Sequence, residues 1–147
     1  MERHPYNNIG IGAIGMISVL NHCKTMPLSK AALILPFIAH KELLSYLSRK
    51  TTNVMSIEKL ITDKIACFSN FNRRYYDSLI LTIESVQFLI EMDFAAYNDS
   101  SIFLVEHVPY SSTMGTRASK IYQAAENLSK ILSEDIGKLY LNLRIKL

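Results

Sequence analysis

The hydrophobic positions of this chain recur mostly every three to four residues, the spacing of the apolar face of an amphipathic helix. Residues 1–8 are polar, and we expect them to be extended. Pro27 and Pro36 interrupt the helical pattern, because proline disfavours helix in the residue before it and breaks the hydrogen-bond ladder. Ser29 and Ser56 are candidate N-caps. The predicted helices lie at residues 9–23, 29–35, 38–48, 56–68 and 73–92, and a final helix capped by Thr113 or Thr116 runs to Ile136.

The predicted helix at 73–92 is apolar almost all round its circumference. Glu84, Gln87 and Glu91 mark its one polar edge. A helix of this kind is usually buried on all sides by its neighbours. We therefore expect this helix to lie at the centre of the core.

Two segments carry the pattern of strands instead. Short apolar stretches on either side of a polar cluster at 98–101 predict a β-hairpin over residues 93–105. In residues 139–147, apolar side chains alternate with polar ones. This alternation predicts a helical turn followed by a short strand at the end of the chain.

The helices at 56–68 and 73–92 and the hairpin at 93–105 follow one another across short joints. This is the order of elements in a winged-helix core. An α-rich domain can also contain this order by accident, and the pattern alone gives the two interpretations about equal weight. The predicted fold is mainly α with a small β-hairpin, arranged as a single winged-helix-like domain over residues 1–147.

Length and composition limit the class of protein. At 147 residues the chain has the length of one domain, and 49% of the residues are hydrophobic, which suits a packed core. This apolar content is generous for a small body, so we expect part of it to lie in an interface with a partner. The formal net charge of +3 permits contact with nucleic acid without demanding it.

The cysteines and the first apolar run indicate a cytoplasmic protein. Cys23 and Cys67 form no CxxC pair, and we interpret them as reduced thiols rather than a disulfide. The apolar run at 9–20 is too short to span a bilayer. It leads into Asn21 and His22 rather than a small-residue cleavage site, which does not fit a secretory signal peptide.

No constellation of residues predicts catalysis, a metal or a cofactor, so the chain is predicted not to be an enzyme. The serines lack the motifs of activated nucleophiles. Residues 10–15 match the string GxGxxG, but a nucleotide-binding version must follow a strand, and none is predicted here. We interpret Gly10, Gly12 and Gly15 as close-packing points of a helix. The histidines lack the spacing of a metal site and lie at positions 4, 22, 40 and 107.

Contact with DNA is the one chemical hypothesis that the residues support. Four basic side chains surround the predicted helix–turn–helix, and Tyr75 and Tyr76 directly follow the last of them in sequence. A helix buried on every side cannot read bases, so the hypothesis is limited to contact of Arg73 and Arg74 with the phosphate backbone and does not extend to recognition of sequence. The candidate DNA-binding residues are Lys59, Lys64, Arg73 and Arg74.

Short motifs in order along most of the chain resemble a known family. An Asn-rich start at residues 7–8 leads into the first apolar helix, and the segment LPFIAHK follows at 35–41. A Thr-rich joint at 51–53 precedes two helices, and an apolar and basic segment at 139–146 ends the pattern. In these features the chain resembles the middle component of three-component ABC systems, the small subunit of Lamassu-type (DdmABC) bacterial defence operons.

The resemblance implies a role rather than a reaction. Such proteins resemble adaptors between an SMC/Rad50-like ATPase and an effector, usually a nuclease, in defence against phages and plasmids. A winged-helix-like body would then sit near the ATPase heads and reach double-stranded DNA through the complex. The alternative is a free-standing winged-helix regulator that dimerises and binds duplex DNA. A small hydrolase is a third class, for which the sequence offers no residues.

Overall fold

The computed structural model describes residues 5–147, and their side chains from Ile9 onward. The described part is mainly helical with a small antiparallel sheet, as the sequence predicts. Two short 3₁₀ helices, Ile65–Phe68 and Ser112–Met114, join larger elements. The strands are β1 (Thr25–Pro27), β2 (Ala95–Asn98) and β3 (Ser101–Leu104). The α-helices are α1 (Pro5–Cys23), α2 (Leu28–Ile38), α3 (Lys41–Ser48), α4 (Ile57–Asp63), α5 (Phe71–Glu91), α6 (Thr116–Leu132) and α7 (Ile136–Asn142).

Helix α1 begins earlier than its apolar residues indicate. The prediction of an extended start is wrong for residues 5–8, which are helical, and residues 1–4 lie outside the described part. Proline is well tolerated in the first turn of a helix, where its missing N–H has no partner to lose, so Pro5 can open α1. The helix then packs against α5 and α6.

Helix α2 is the most deeply buried element. Eight consecutive residues, 31–38, are all buried, and the helix contacts α1, α3, α5, α6 and β1. Of the kink or restart predicted at Pro36, the restart is wrong, because α2 runs through this residue and ends at Ile38. Pro36 costs one backbone hydrogen bond, but it lies in the last turn with its ring in the core. Ser29 is not the N-cap, a position that Pro27 occupies.

Helix α5 is not the central helix, so that prediction is wrong. One face of α5 is buried, including Phe71, Val86 and Leu89. The opposite face is open to solvent, where Ile80 is 73% exposed and Ile83 is 58% exposed. An apolar circumference normally indicates burial on all sides, but here part of it forms the surface of the molecule.

The region before α5 agrees with its sequence signals in part. Ser56 caps α4 as predicted, since its Oγ accepts a hydrogen bond from the Lys59 N–H at 3.1 Å. The α-helix ends at Asp63, and the 3₁₀ helix Ile65–Phe68 follows it. The predicted span 56–68 is therefore helical in two pieces.

The predicted hairpin is confirmed as β2 and β3. Asp99 and Ser100 form its two-residue turn with φ of 52° and 62°, the positive values that match the twist of a hairpin. Strand β1 was not predicted, and three residues carry too little pattern to identify. It pairs antiparallel with β3 to give the order β1-β3-β2, and it places Met26 against Ile102 in the core.

The predicted C-terminal strand is wrong. Helix α7 runs from Ile136 to Asn142, and residues 143–147 form no strand. The buried apolar residues are Leu139 and Leu143, four apart as in a helix, whereas Leu141 between them is 79% exposed. The alternation of apolar and polar residues that predicted a strand therefore includes apolar side chains that are exposed to solvent. Within the described residues, no helix has the length and apolarity needed to cross a membrane.

The glycines of α1 divide into packing and surface positions. A Cβ at Gly12 would lie 2.0 Å from Ser85 Oγ on α5, and one at Gly15 would lie 2.6 Å from Ile38 Cδ1 on α2. The predicted close packing is therefore confirmed for these two residues. At Gly10 the same Cβ would meet nothing within 4 Å, so that glycine is not a packing point.

We predict opposite effects of alanine at two of these glycines. Gly10→Ala should raise the free energy of unfolding by about 0.5–1 kcal/mol, because alanine loses less backbone entropy in a helix. Gly12→Ala should lower it by about 1–3 kcal/mol through overpacking against Ser85. Chemical denaturation measures both, and Gly12→Ala/Ser85→Ala should recover most of the loss. Equal stability of the two single variants would contradict the α1–α5 packing.

Candidate interaction surfaces

The predicted DNA-binding residues lie around α4 and the start of α5, in different settings. Lys59 Nζ pairs with Asp63 at 3.1 Å along α4, and Arg73 Nε lies 3.8 Å from Asp77 along α5. All four side chains of these pairs face solvent to a large degree. Each basic charge is thus partly balanced by a carboxylate one helical turn away, with only a weak stabilising effect.

Lys64 lies at the C-cap of α4 and is directed towards α3. Its Nζ is 4.7 Å from the centre of the Tyr46 ring, and the guanidinium of Arg49 lies 5.9 Å from the same ring. Both contacts are within the range of cation–π attraction. Lys64 therefore belongs to the edge of α3 rather than to a surface shared with Arg73.

Arg74 points inward, unlike its neighbour in sequence. Its Nε donates to the carbonyl oxygen of Pro36 at 3.1 Å, and Nη2 donates to that of Cys67 at 2.9 Å. The guanidinium also lies 5.2 Å from the Phe71 ring. These carbonyls lie near the ends of α2 and of the 3₁₀ helix, where backbone acceptors lack helical partners. Burial lowers the pKa of Arg74 from its usual value, but arginine remains charged at neutral pH.

The Phe71 ring that Arg74 contacts belongs to a cluster of three phenylalanines. The ring centroids of Phe37 and Phe71 are 4.9 Å apart with the planes tilted by 66°, and Phe68 stacks on Phe71 at 5.8 Å. Edge and offset contacts of this kind stabilise aromatic pairs beyond simple burial. The cluster joins α2, the 3₁₀ helix and α5, so Arg74 is part of a structural joint.

The cysteines and histidines do not assemble a reactive site in the described part of the chain. Burial raises the pKa of the thiols of Cys23 and Cys67, which keeps them protonated and weakly nucleophilic at neutral pH. No group of three or more potential metal ligands occurs among residues 5–147, and His4 lies outside them. His40 has a structural contact, because its Nδ1 accepts a hydrogen bond from the Leu43 N–H at 3.2 Å.

An open apolar groove runs between α2, α5 and the end of β2. It has a volume of about 340 Å³. Thr82 lies in its lining, and its buried Oγ1 has no hydrogen-bond partner among the described residues. Exposed apolar surface of this kind in a small protein marks interaction sites. The residues of this α2–α5 groove are Leu28, Ala32, Leu79, Thr82, Ile83, Val86, Gln87, Ile90 and Tyr97.

The outer side of α5 beside the groove is acidic. Asp77, Glu84 and Glu91 are all exposed there, and no Lys or Arg follows Arg74 within this helix. Negative side chains repel a phosphate backbone and attract basic partners. Sequence reasoning marked this helix as buried and so missed the groove, although Glu84 and Glu91 were visible as its polar edge.

Comparison with known proteins identifies the family. The family model for the ABC-three component (ABC-3C) system Middle Component 3 matches residues 20–147. The chain belongs to this family. As a middle component, it has the other subunits of an ABC-3C system as its partners. Comparison with curated proteins and with solved structures gives no match.

Membership confirms the resemblance at the level of the system. The sequence motifs indicated a three-component ABC system, and the middle component is the part of it to which this chain corresponds. Membership of the middle components is consistent with an adaptor role. Such a protein depends on surfaces, so the α2–α5 groove is a stronger candidate than any single polar residue.

We predict that Arg74 stabilises this middle component whereas Arg73 does not. Arg74→Ala leaves two carbonyls without donors and should lower the free energy of unfolding by about 2–3 kcal/mol. Arg73→Ala removes only an exposed pair and should change it by less than about 0.5 kcal/mol. Urea denaturation of the two variants is a matched comparison. Equal losses would show that the inward contacts of Arg74 do not stabilise the fold.

We also predict a pH dependence that originates at His40. Burial lowers its pKa in the folded protein, so the unfolded chain binds a proton first as the pH falls below about 6.5. Stability is then lost progressively as the pH decreases through the folded pKa, because a protonated Nδ1 cannot accept from Leu43. His40→Asn keeps a capping acceptor and should flatten this part of the curve of Tm against pH. An unchanged slope in the variant would assign the effect elsewhere.

Proposed function

We propose that this chain is a non-catalytic adaptor that joins an SMC/Rad50-like ATPase to an effector nuclease in a Lamassu-type (DdmABC) defence complex of the bacterial cytoplasm. The complex would act against phage and plasmid DNA. Membership of the ABC-3C middle components carries the proposal, because it makes the other subunits of the system the partners of this chain. The motifs at 35–41 and 139–146 support the narrower Lamassu assignment.

The α2–α5 groove is the surface that we assign to the ATPase subunit. Its lining is almost wholly apolar, and exposed carboxylates of Asp77, Glu84 and Glu91 line the same helix. Complementary charge selects a partner whose basic residues flank an apolar stripe. The proposed occupant is therefore an amphipathic helix of the ATPase, bound by its i, i+3, i+4 and i+7 side chains. A polar group on that helix would also satisfy the Thr82 hydroxyl.

The order of elements supports a winged-helix arrangement for the body. Strand β1 lies between α1 and α2, and it pairs with β3 of the hairpin that follows α5. Helix α5 packs on α1 and α2 directly before this hairpin. In this arrangement α2 and α5 form the helix pair, whereas the sequence assigned that place to 56–68 and 73–92.

A free-standing DNA-binding regulator is the alternative, and the surface of α5 opposes it. Such a protein would insert this helix into a DNA groove, where its exposed residues contact phosphates and bases. Here they include Ile80, Ile83 and three carboxylates. That face suits a protein partner. Double-stranded DNA is then reached through the complex, and contacts from Lys59, Lys64 and Arg73 belong to this proposal as predictions.

Co-expression with the ATPase and nuclease encoded beside its gene tests the adaptor role. The wild-type chain should co-purify with both products as a defined complex in size-exclusion chromatography. Ile83→Arg should weaken the complex about 100-fold, or about 2–3 kcal/mol, because it places a cation against the basic flanks of the partner and removes an apolar side chain that the complex would bury. Met55→Arg is the control, since Met55 is 77% exposed and lies outside the groove.

The outcomes separate the two parts of the proposal. A wild-type chain that forms no complex with either product would rule out the adaptor role. If the wild-type complex forms and Ile83→Arg retains full affinity, the adaptor role stands and the groove is not its docking surface. Equal losses in Ile83→Arg and Met55→Arg would indicate general damage to the fold, which circular dichroism would show.

A further inference from the structure

We infer that a surface formed by α3, the joint after it and α6 binds the phosphate backbone of duplex DNA. Two neighbouring clefts of about 370 and 390 Å³ lie where α3 and its following joint meet α6. Six exposed basic side chains line them. These residues, which we call the α3–α6 basic surface, are Lys41, Arg49, Lys50, Arg117, Lys120 and Lys130.

Polar contacts hold the two sides of this surface together. Lys120 Nζ on α6 donates to Ser45 Oγ on α3 at 3.2 Å. Asn127 Nδ2, in the buried part of α6, donates to the carbonyl oxygens of Leu47 at 2.9 Å and Thr52 at 3.2 Å. The joint after α3 is thereby fixed against α6. The basic side chains extend from a rigid base, which limits the entropy lost on binding.

The positive charge of the chain is concentrated here. The residues that line the two clefts include six Lys or Arg against one acidic residue, Glu126, a net charge of +5. The whole chain has 16 basic and 13 acidic residues, so the other 10 basic and 12 acidic residues sum to −2. Glu42, the acid of α3, lines neither cleft. A basic surface on an otherwise slightly acidic body is the electrostatic footprint of a polyanion site.

Most of these charges are not neutralised within the protein. Across residues 5–147, no ion pair involves Lys41, Lys50, Lys120 or Lys130. Lys59 and Arg73 of the sequence-predicted site differ in this respect, since each has a carboxylate partner. Lysines without counter-charges can neutralise DNA phosphates, and the release of the cations condensed on the duplex favours this binding.

The chemistry of the surface favours DNA over an acidic protein. None of the large apolar side chains exposed in the described residues belongs to α3, its following joint at 49–53, or α6. The cores of protein interfaces are rich in aromatic and apolar side chains and poor in lysine. Interfaces with DNA are more polar and much more positive. Hydroxyl and amide groups of Ser45, Ser48 and Gln123 lie between the charges, and such groups also contact phosphates.

The length of the surface matches a short tract of duplex. Arg117 and Lys130 are 13 residues apart on α6, which corresponds to about 20 Å along a helix. Phosphates of one strand advance about 3.4 Å along the duplex axis, so the surface spans about six base pairs. Binding of this kind is independent of sequence, and the inference does not rest on the adaptor role.

Fluorescence anisotropy with a labelled duplex of about 30 base pairs tests the inference on the full chain. Wild-type protein should bind at about 50 mM salt, with an affinity that falls steeply as salt increases. Lys41→Gln/Lys120→Gln should weaken binding about tenfold or more and reduce the slope of log K against log salt by about 1.8, the value for two phosphate contacts. Circular dichroism should show an unchanged fold.

The control removes two positive charges elsewhere. Arg144→Gln/Lys146→Gln, at two exposed positions outside both clefts, should leave the affinity and the salt slope close to wild type. The inference fails if wild-type protein does not bind the duplex, or if the control variant loses as much affinity as the Lys41/Lys120 variant. It also fails if the Lys41/Lys120 variant binds the duplex as tightly as wild-type protein does. Loss of ATPase or nuclease binding in that variant would then assign the surface to an acidic protein.

Discussion

The burial of residues 31–38 of α2 is the constraint that arranges the rest of the molecule. A helical segment that is apolar on every side must be covered on every side, because no face of it tolerates water. Helices α1, α3, α5 and α6 and strand β1 provide that cover. The close approach at Gly15 lets α1 reach α2. Burial also removes water from the last carbonyl groups of α2, so their oxygens need hydrogen-bond donors from the protein. Arg74 supplies one at Pro36.

Much of the local structure could be predicted, because it depends on short-range physics. The Ser56 cap, the hairpin and the close packing at Gly12 each follow from residue types and spacing over a few positions. The identity of the central helix could not be predicted in this way. Apolar side chains at Ile80 and Ile83 look the same in a sequence whether they face a core or a partner. The structure decides between these cases, because α2 occupies the centre of the core and leaves Ile80 and Ile83 at the surface.

The candidate surfaces were even harder to predict from local sequence patterns. Arg73 and Arg74 are adjacent in sequence, but successive helical residues point about 100° apart. One faces solvent and the other closes a helix end. The α3–α6 basic surface draws Lys41 and Lys120 from positions nearly 80 residues apart. Neither residue belongs to a charge run, so no local pattern could indicate their proximity.

The burial of α2 also separates the two candidate surfaces. Helices α5 and α6 each pack on α1 and α2 rather than on each other. Apolar and acidic side chains lie along α5, whereas basic side chains collect along α3 and α6. A phosphate backbone is repelled from the first surface and attracted to the second. A basic amphipathic partner has the opposite preference. The two proposed partners, a protein and a nucleic acid, would therefore occupy separate surfaces of the chain.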